Sequence, residues 1–134
     1  MSRRIVWTGN DLLNDIEKEP PPIIPGLLWE GDAVLLVGDA KVGKSILSLQ
    51  LACSLTAGKT FLDEFEVPKA RNVLYVQAEG KRLETSSRYA KMTKEVPSDP
   101  ERFRLFYLPQ VPFDREESVA RFLALWNEEE RLKD

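Results

Sequence analysis

The sequence predicts an α/β fold with a mostly parallel sheet, and three observations carry that prediction. Strand-like and helix-like stretches alternate from residue 33 onward, which is the order of a sheet covered by crossover helices. The run Asn72-Val73-Leu74-Tyr75-Val76-Gln77 is almost continuously apolar, as a strand buried on both faces is. Finally, Ala33-Val34-Leu35-Leu36-Val37 opens directly into Gly38-Asp39-Ala40-Lys41-Val42-Gly43-Lys44-Ser45. That is an apolar strand followed by G-x-x-x-x-G-K-S and then a helical pattern.

The lead segment at 8–18 offers Asn10 as an N-cap for a short helix that carries Leu12, Leu13 and Ile16 on one face. Pro20-Pro21-Pro22 forbids both helix and central strand, so the chain runs extended into Ile23-Ile24. Pro25-Gly26 and Glu30-Gly31-Asp32 read as two turns. Residues 1–32 are therefore expected to be a lead helix and a proline-rich linker, and 33–134 the domain that follows it.

The loop at 38–45 has a definite chemistry. Gly38 and Gly43 permit the torsions and close approach of a backbone wrapped round a phosphate. Successive N–H groups of Asp39, Ala40, Lys41 and Val42 turn inward as an anion nest. The helix beginning near Lys44 adds its orphan donors and positive dipole end. Lys44 supplies a cation for the terminal phosphates, and the Ser45 hydroxyl is placed to ligate Mg²⁺. The pattern is the Walker A phosphate loop, and it implies ATP and Mg²⁺ as ligands.

Beyond the loop, Leu47, Leu51 and Leu55 form one row of a helix that ends near Gly58. A strand at 72–77 leads to Ala78-Glu79-Gly80. A helix over 81–95 is expected to turn Leu83, Ser87 and Ala90 inward, with Arg82, Arg88, Lys91 and Lys94 on its other faces. Those four cations are candidates for touching a nucleic-acid backbone. Pro97 and Pro100 stop this helix, and 102–108 reads as a third strand. Asp114 and Glu117 make a capping pair for a last helix whose apolar face is Val119, Phe122, Leu123 and Trp126.

The composition excludes several classes of chemistry. The chain has 134 residues, 43% of them hydrophobic, which is enough for one core of ordinary size. There is no histidine, so His-based triads and His metal sites are ruled out. The single cysteine, Cys53, falls inside a helix and reads as a small core residue. A net charge of −3 gives no general attraction to nucleic acid or anionic lipid. No apolar run reaches the ~20 residues of a membrane span and no signal region is present, so a cytoplasmic location is expected.

The succession Ile24-Pro25-Gly26-Leu27-Leu28, Glu30-Gly31-Asp32, the strand and loop at 35–45, and Asn72 to Gly80 resembles the RepA-like AAA-domain ATPases of the RecA/DnaB superfamily. The resemblance implies a three-layer RecA-like P-loop NTPase fold and a hexameric motor. It also implies ATP hydrolysis in nucleic-acid transactions such as helicase action in DNA replication, with single-stranded DNA as a partner. In that family the acid ending the second strand polarises the attacking water, and Glu79 holds the matching position. Where the family commonly has Glu-Asp, this chain has Glu79-Gly80. The resemblance further implies a later strand ending in a Walker B aspartate. None is recognisable before Asp134, so the chain is expected to be the N-terminal part of a longer ATPase. The alternatives are a small P-loop kinase and a non-hydrolysing nucleotide-binding or interaction fragment.

Overall fold

The computed structural model describes residues 6–15, 20–107 and 116–131. Its elements run α1 (Gly9–Asp15), β1 (Pro22–Ile24), β2 (Leu28–Trp29), α2 (Lys44–Ala57), β3 (Val73–Gln77), α3 (Arg82–Met92), β4 (Phe103–Tyr107) and α4 (Glu116–Arg131). β3 and β4 pair in parallel, with Val73 opposite Phe103 and Gln77 opposite Tyr107. A parallel pair cannot be closed by a tight turn, and α3 supplies the crossover. The fold is thus α/β with a parallel sheet; among the described residues that sheet has two strands.

Helix α1 is capped by Thr8 rather than Asn10. The Thr8 hydroxyl accepts from the Asp11 N–H at 3.2 Å, and the Asp11 carboxylate accepts from the Thr8 N–H at 2.7 Å, the reciprocal arrangement of a capping box. Leu12 and Leu13 are exposed, and Ile16 lies outside the described residues. The proline-rich stretch then makes a hairpin. Pro25-Gly26 is its turn, with Gly26 at φ 80° and the Leu27 N–H donating to Ile24 O at 3.0 Å, as a Pro-Gly turn requires.

That hairpin buries Ile24 completely, in a cluster with Phe61 and Val67. Leu47, Leu51 and Leu55, the row read from the sequence, pack against this cluster. Leu49, Ala52, Cys53 and Thr56 are also buried, so α2 is enclosed on more than one side. Burial pushes the Cys53 thiol pKa up, in keeping with an inert core cysteine. The helix ends at Gly58, which adopts φ 63°.

Two expectations need correcting. Residues 33–37 are not a strand in the structure, and Val34, Leu35, Leu36 and Val37 are 48–85% exposed. A continuous apolar run signals two-sided burial, but strand pairing also needs a neighbouring backbone, and no described strand lies beside this segment. Second, the inward face of α3 is Thr85, Tyr89 and Met92, while Leu83 is 70% exposed. Polar tips decide the facing. Tyr89 stacks on Phe103 at 4.7 Å between ring centroids while its hydroxyl meets Ser98 at 2.9 Å, so an amphipathic ring is buried at little polar cost. Helix α4 reaches β4 through Phe122, edge-on to Phe106 at 4.7 Å. Asp114 and the side chain of Trp126 lie outside the described residues.

Two outcomes are expected. A Cβ on Gly58 would sit 2.8 Å from the Ala70 backbone nitrogen, and the positive φ adds strain. Gly58→Ala should therefore lower stability by more than about 1 kcal/mol in urea denaturation. The exposed apolar segment should make the chain associate with rising concentration in sedimentation, and Leu35→Lys should shift it toward monomer. A monomeric wild type across the range would contradict this.

Candidate functional site

The loop from Gly38 to Ser45 uses its two glycines differently. Gly43 sits at φ 100° and ψ 16°, a left-handed conformation that sets the direction in which α2 begins. Gly38 serves close approach instead, since a Cβ there would meet Val42 Cγ2 at 3.1 Å. Lys41 also holds a left-handed φ of 63°, a strained choice for a non-glycine residue. Such outliers gather where a backbone is bent for a purpose.

The start of α2 has no side-chain cap. The first helical bond after Gly43 runs from the Leu47 N–H to Gly43 O at 2.9 Å. The N–H groups of Lys44, Ser45 and Ile46 therefore precede the helix's own ladder and are its orphan donors. Lys44 folds back on the loop, its Nζ donating to Gly38 O at 2.5 Å and Asp39 O at 2.6 Å. A cavity of about 330 Å³ is lined by Lys41, Gly43, Lys44, Ser45, Ile46 and Arg88. Three cations, no carboxylate and an uncapped helix start fit a polyphosphate.

Glu79 is exposed and lies just past the end of β3. It borders a second cavity of about 230 Å³ with Ser45, Gln77, Thr85 and Arg88. The phosphate loop and the carboxylate, 34 residues apart in sequence, thus open onto one space. The turn carrying Glu79 is held on both sides. Gln77 Nε2 donates to Glu79 O at 2.8 Å, and Gln77 Oε1 accepts from the Thr85 hydroxyl at 2.6 Å. The Tyr107 hydroxyl donates to Gly80 O at 3.1 Å.

Sequence reasoning missed Gln77, Thr85 and Tyr107 as supports of this turn. A polar Gln closing an apolar strand was the signal available for the first. It also grouped Arg88 with Arg82, Lys91 and Lys94 as one basic face. The structure sets Arg88 apart, in an ion pair with Glu84 at 2.6 Å and lining both cavities. Arg82 and Lys94 border neither cavity. Among the described residues, no group of three or more His, Cys, Asp or Glu is placed to hold a metal ion. Ser45 lines both cavities. No helix of the described residues is long and apolar enough to cross a membrane.

No curated protein and no solved structure matches the chain. A family model does, that of the AAA domain, over residues 3–129. That match spans the phosphate loop, the Glu79 turn, α1 to α3 and most of α4, and the AAA domain is an ATP-binding P-loop ATPase module. With a phosphate cradle built as described and a family match over nearly its whole length, the chain belongs to the AAA domain family.

Proposed function

We propose that this chain binds ATP with Mg²⁺ through Gly38, Asp39, Ala40, Lys41, Val42, Gly43, Lys44 and Ser45, and that Glu79 orients the water that attacks the terminal phosphate. The observation that carries the reading is the shared cavity, in which Ser45 and Glu79 are both lining residues. The backbone donors at the start of α2 hold the phosphates, and Lys44 neutralises them. Bound Mg²⁺ supplies charge neutralisation at the phosphate oxygens. Glu79 accepts a hydrogen bond from water on the far side, while Gln77 and Tyr107 fix where that carboxylate is carried. Phosphoryl transfer of this kind is mostly positioning and electrostatics.

The larger setting follows from the resemblance to RepA-like ATPases. It is a RecA-like three-layer domain within a homo-oligomeric motor acting on single-stranded DNA. Salt-sensitive binding of single strands would support that setting.

Titration with ATP and Mg²⁺ tests the nucleotide claim. Lys44→Ala should weaken binding by at least about tenfold, on the order of 1.4 kcal/mol or more; unchanged affinity would sink the reading. Glu79→Gln should keep ATP affinity within about twofold and abolish phosphate release by the active assembly. Gln77→Ala should leave binding intact and lower turnover by about tenfold through a loosened 78–81 turn, with Gln77→Glu failing to restore it, because the carboxylate cannot donate to Glu79 O.

A further inference from the structure

Two hydroxyls tie the first turn of α2 to β3. The Ser48 hydroxyl donates to Ser45 O at 3.0 Å and lies 3.1 Å from the Tyr75 hydroxyl. A serine has a single O–H proton to give. Because Ser48 gives it to Ser45 O, the Tyr75 hydroxyl is the donor in the second bond, and the chain runs from Tyr75 through Ser48 to the Ser45 carbonyl. Tyr75 is itself held in place, its ring stacked on Phe103 at 6.0 Å between centroids, with Phe103 stacked in turn on Tyr89 at 4.7 Å. The chain of bonds ends on one peptide group. Ser45 O belongs to the same peptide unit as the Ile46 N–H, which, with those of Lys44 and Ser45, precedes the helix's own ladder. A hydrogen bond accepted by the carbonyl of a peptide polarises the unit and strengthens the N–H on its other side.

We infer that Tyr75 and Ser48 are positioning residues of the phosphate cradle, an inference that rests on the nucleotide-binding reading above. Acting through the Ser45 carbonyl, they hold the first turn of α2 against β3 and make the Ile46 N–H a better donor to a phosphate. The strand supplies the second support. Tyr75 and Gln77 stand two residues apart on β3, so they share one of its faces, and both line the cavity onto which Ser45 and Glu79 open. Tyr75 reaches the cradle through Ser48, while Gln77 holds the turn that carries Glu79. One face of one strand therefore sets where the phosphate donors stand relative to the carboxylate. Neither side chain needs to touch the nucleotide for this.

Tyr75→Phe isolates the effect, since it keeps the ring against Phe103 and removes one hydroxyl, and Ser48→Ala keeps a good helix former. ATP with Mg²⁺ is titrated against wild type, Tyr75→Phe, Ser48→Ala, Ser48→Thr, the double variant Tyr75→Phe/Ser48→Ala and Lys44→Ala, with circular dichroism verifying the fold of each. Tyr75→Phe should weaken ATP by about threefold and Ser48→Ala by about fivefold. The double variant should stay within about twofold of Ser48→Ala alone, because Tyr75 reaches the cradle only through Ser48. Ser48→Thr should stay within about twofold of wild type, since a threonine hydroxyl can make the same bond back along the helix. A ¹⁵N–¹H spectrum of the ligand-free protein gives an independent readout. The Ile46 amide resonance should move in Tyr75→Phe and in Ser48→Ala, and keep its place in Ser48→Thr. If Lys44→Ala weakens ATP while Tyr75→Phe changes neither ATP affinity nor the Ile46 resonance, or if the two losses multiply in the double variant, the positioning role is overturned and the cradle stands. If wild type binds no ATP, or Lys44→Ala leaves its affinity unchanged, the nucleotide reading itself fails and takes the positioning role with it.

Discussion

Everything the site does depends on the enclosure of α2. An uncapped helix start can present three backbone donors to a ligand only if the body of the helix is held still. Here the hairpin residue Ile24 with Phe61 and Val67 grips the Leu47, Leu51 and Leu55 row, while Leu49, Ala52, Cys53 and Thr56 are buried as well. Leu49, fully buried, contributes on the order of 1.5–3 kcal/mol and the partly buried Leu47, Leu51 and Leu55 add to it, more than the few tenths lost with glycine at the helix cap. The proline-rich stretch before the loop is thus part of what steadies it, since Ile24 is among the most deeply buried side chains.

Much of this was legible in the residues. The spans of α2, β3 and β4 agree with the sequence patterns to within a residue or two, because helical rows, strand-like apolar runs and Gly or Pro stops act locally. Facing was less legible. Leu83, Ser87 and Ala90 were read as the inward face, yet all three are exposed and Thr85 and Tyr89 take that side, since each buries its body and satisfies its polar tip against Gln77 or Ser98. Residues 33–37 show the other limit. Their composition states a preference for burial, but a strand exists only when a second backbone completes its hydrogen bonds.

The site shows the same division. The loop at 38–45 is read from spacing alone, because the residue types at Gly38, Gly43, Lys44 and Ser45 are those that a phosphate loop calls for. The supports of Glu79 are not, because Gln77, Thr85 and Tyr107 act through hydrogen bonds to a turn, and no spacing rule connects residue 107 to residue 80. Arg88 likewise looks like any surface cation until α3 brings it over the first turn of α2. Its ion pair with Glu84 has both side chains about half exposed, so it contributes little to stability and leaves the guanidinium free to exchange partners.

The fold-back of Lys44 carries one more consequence. Its ammonium is satisfied by two carbonyls of its own loop, so taking up an anion there is a substitution, in which an internal ligand is displaced by an external one. A singly charged anion such as chloride competes poorly against two oriented carbonyl dipoles, whereas a polyphosphate brings several charged oxygens at once. On the proposed nucleotide reading, the loop thereby favours polyphosphates over singly charged anions.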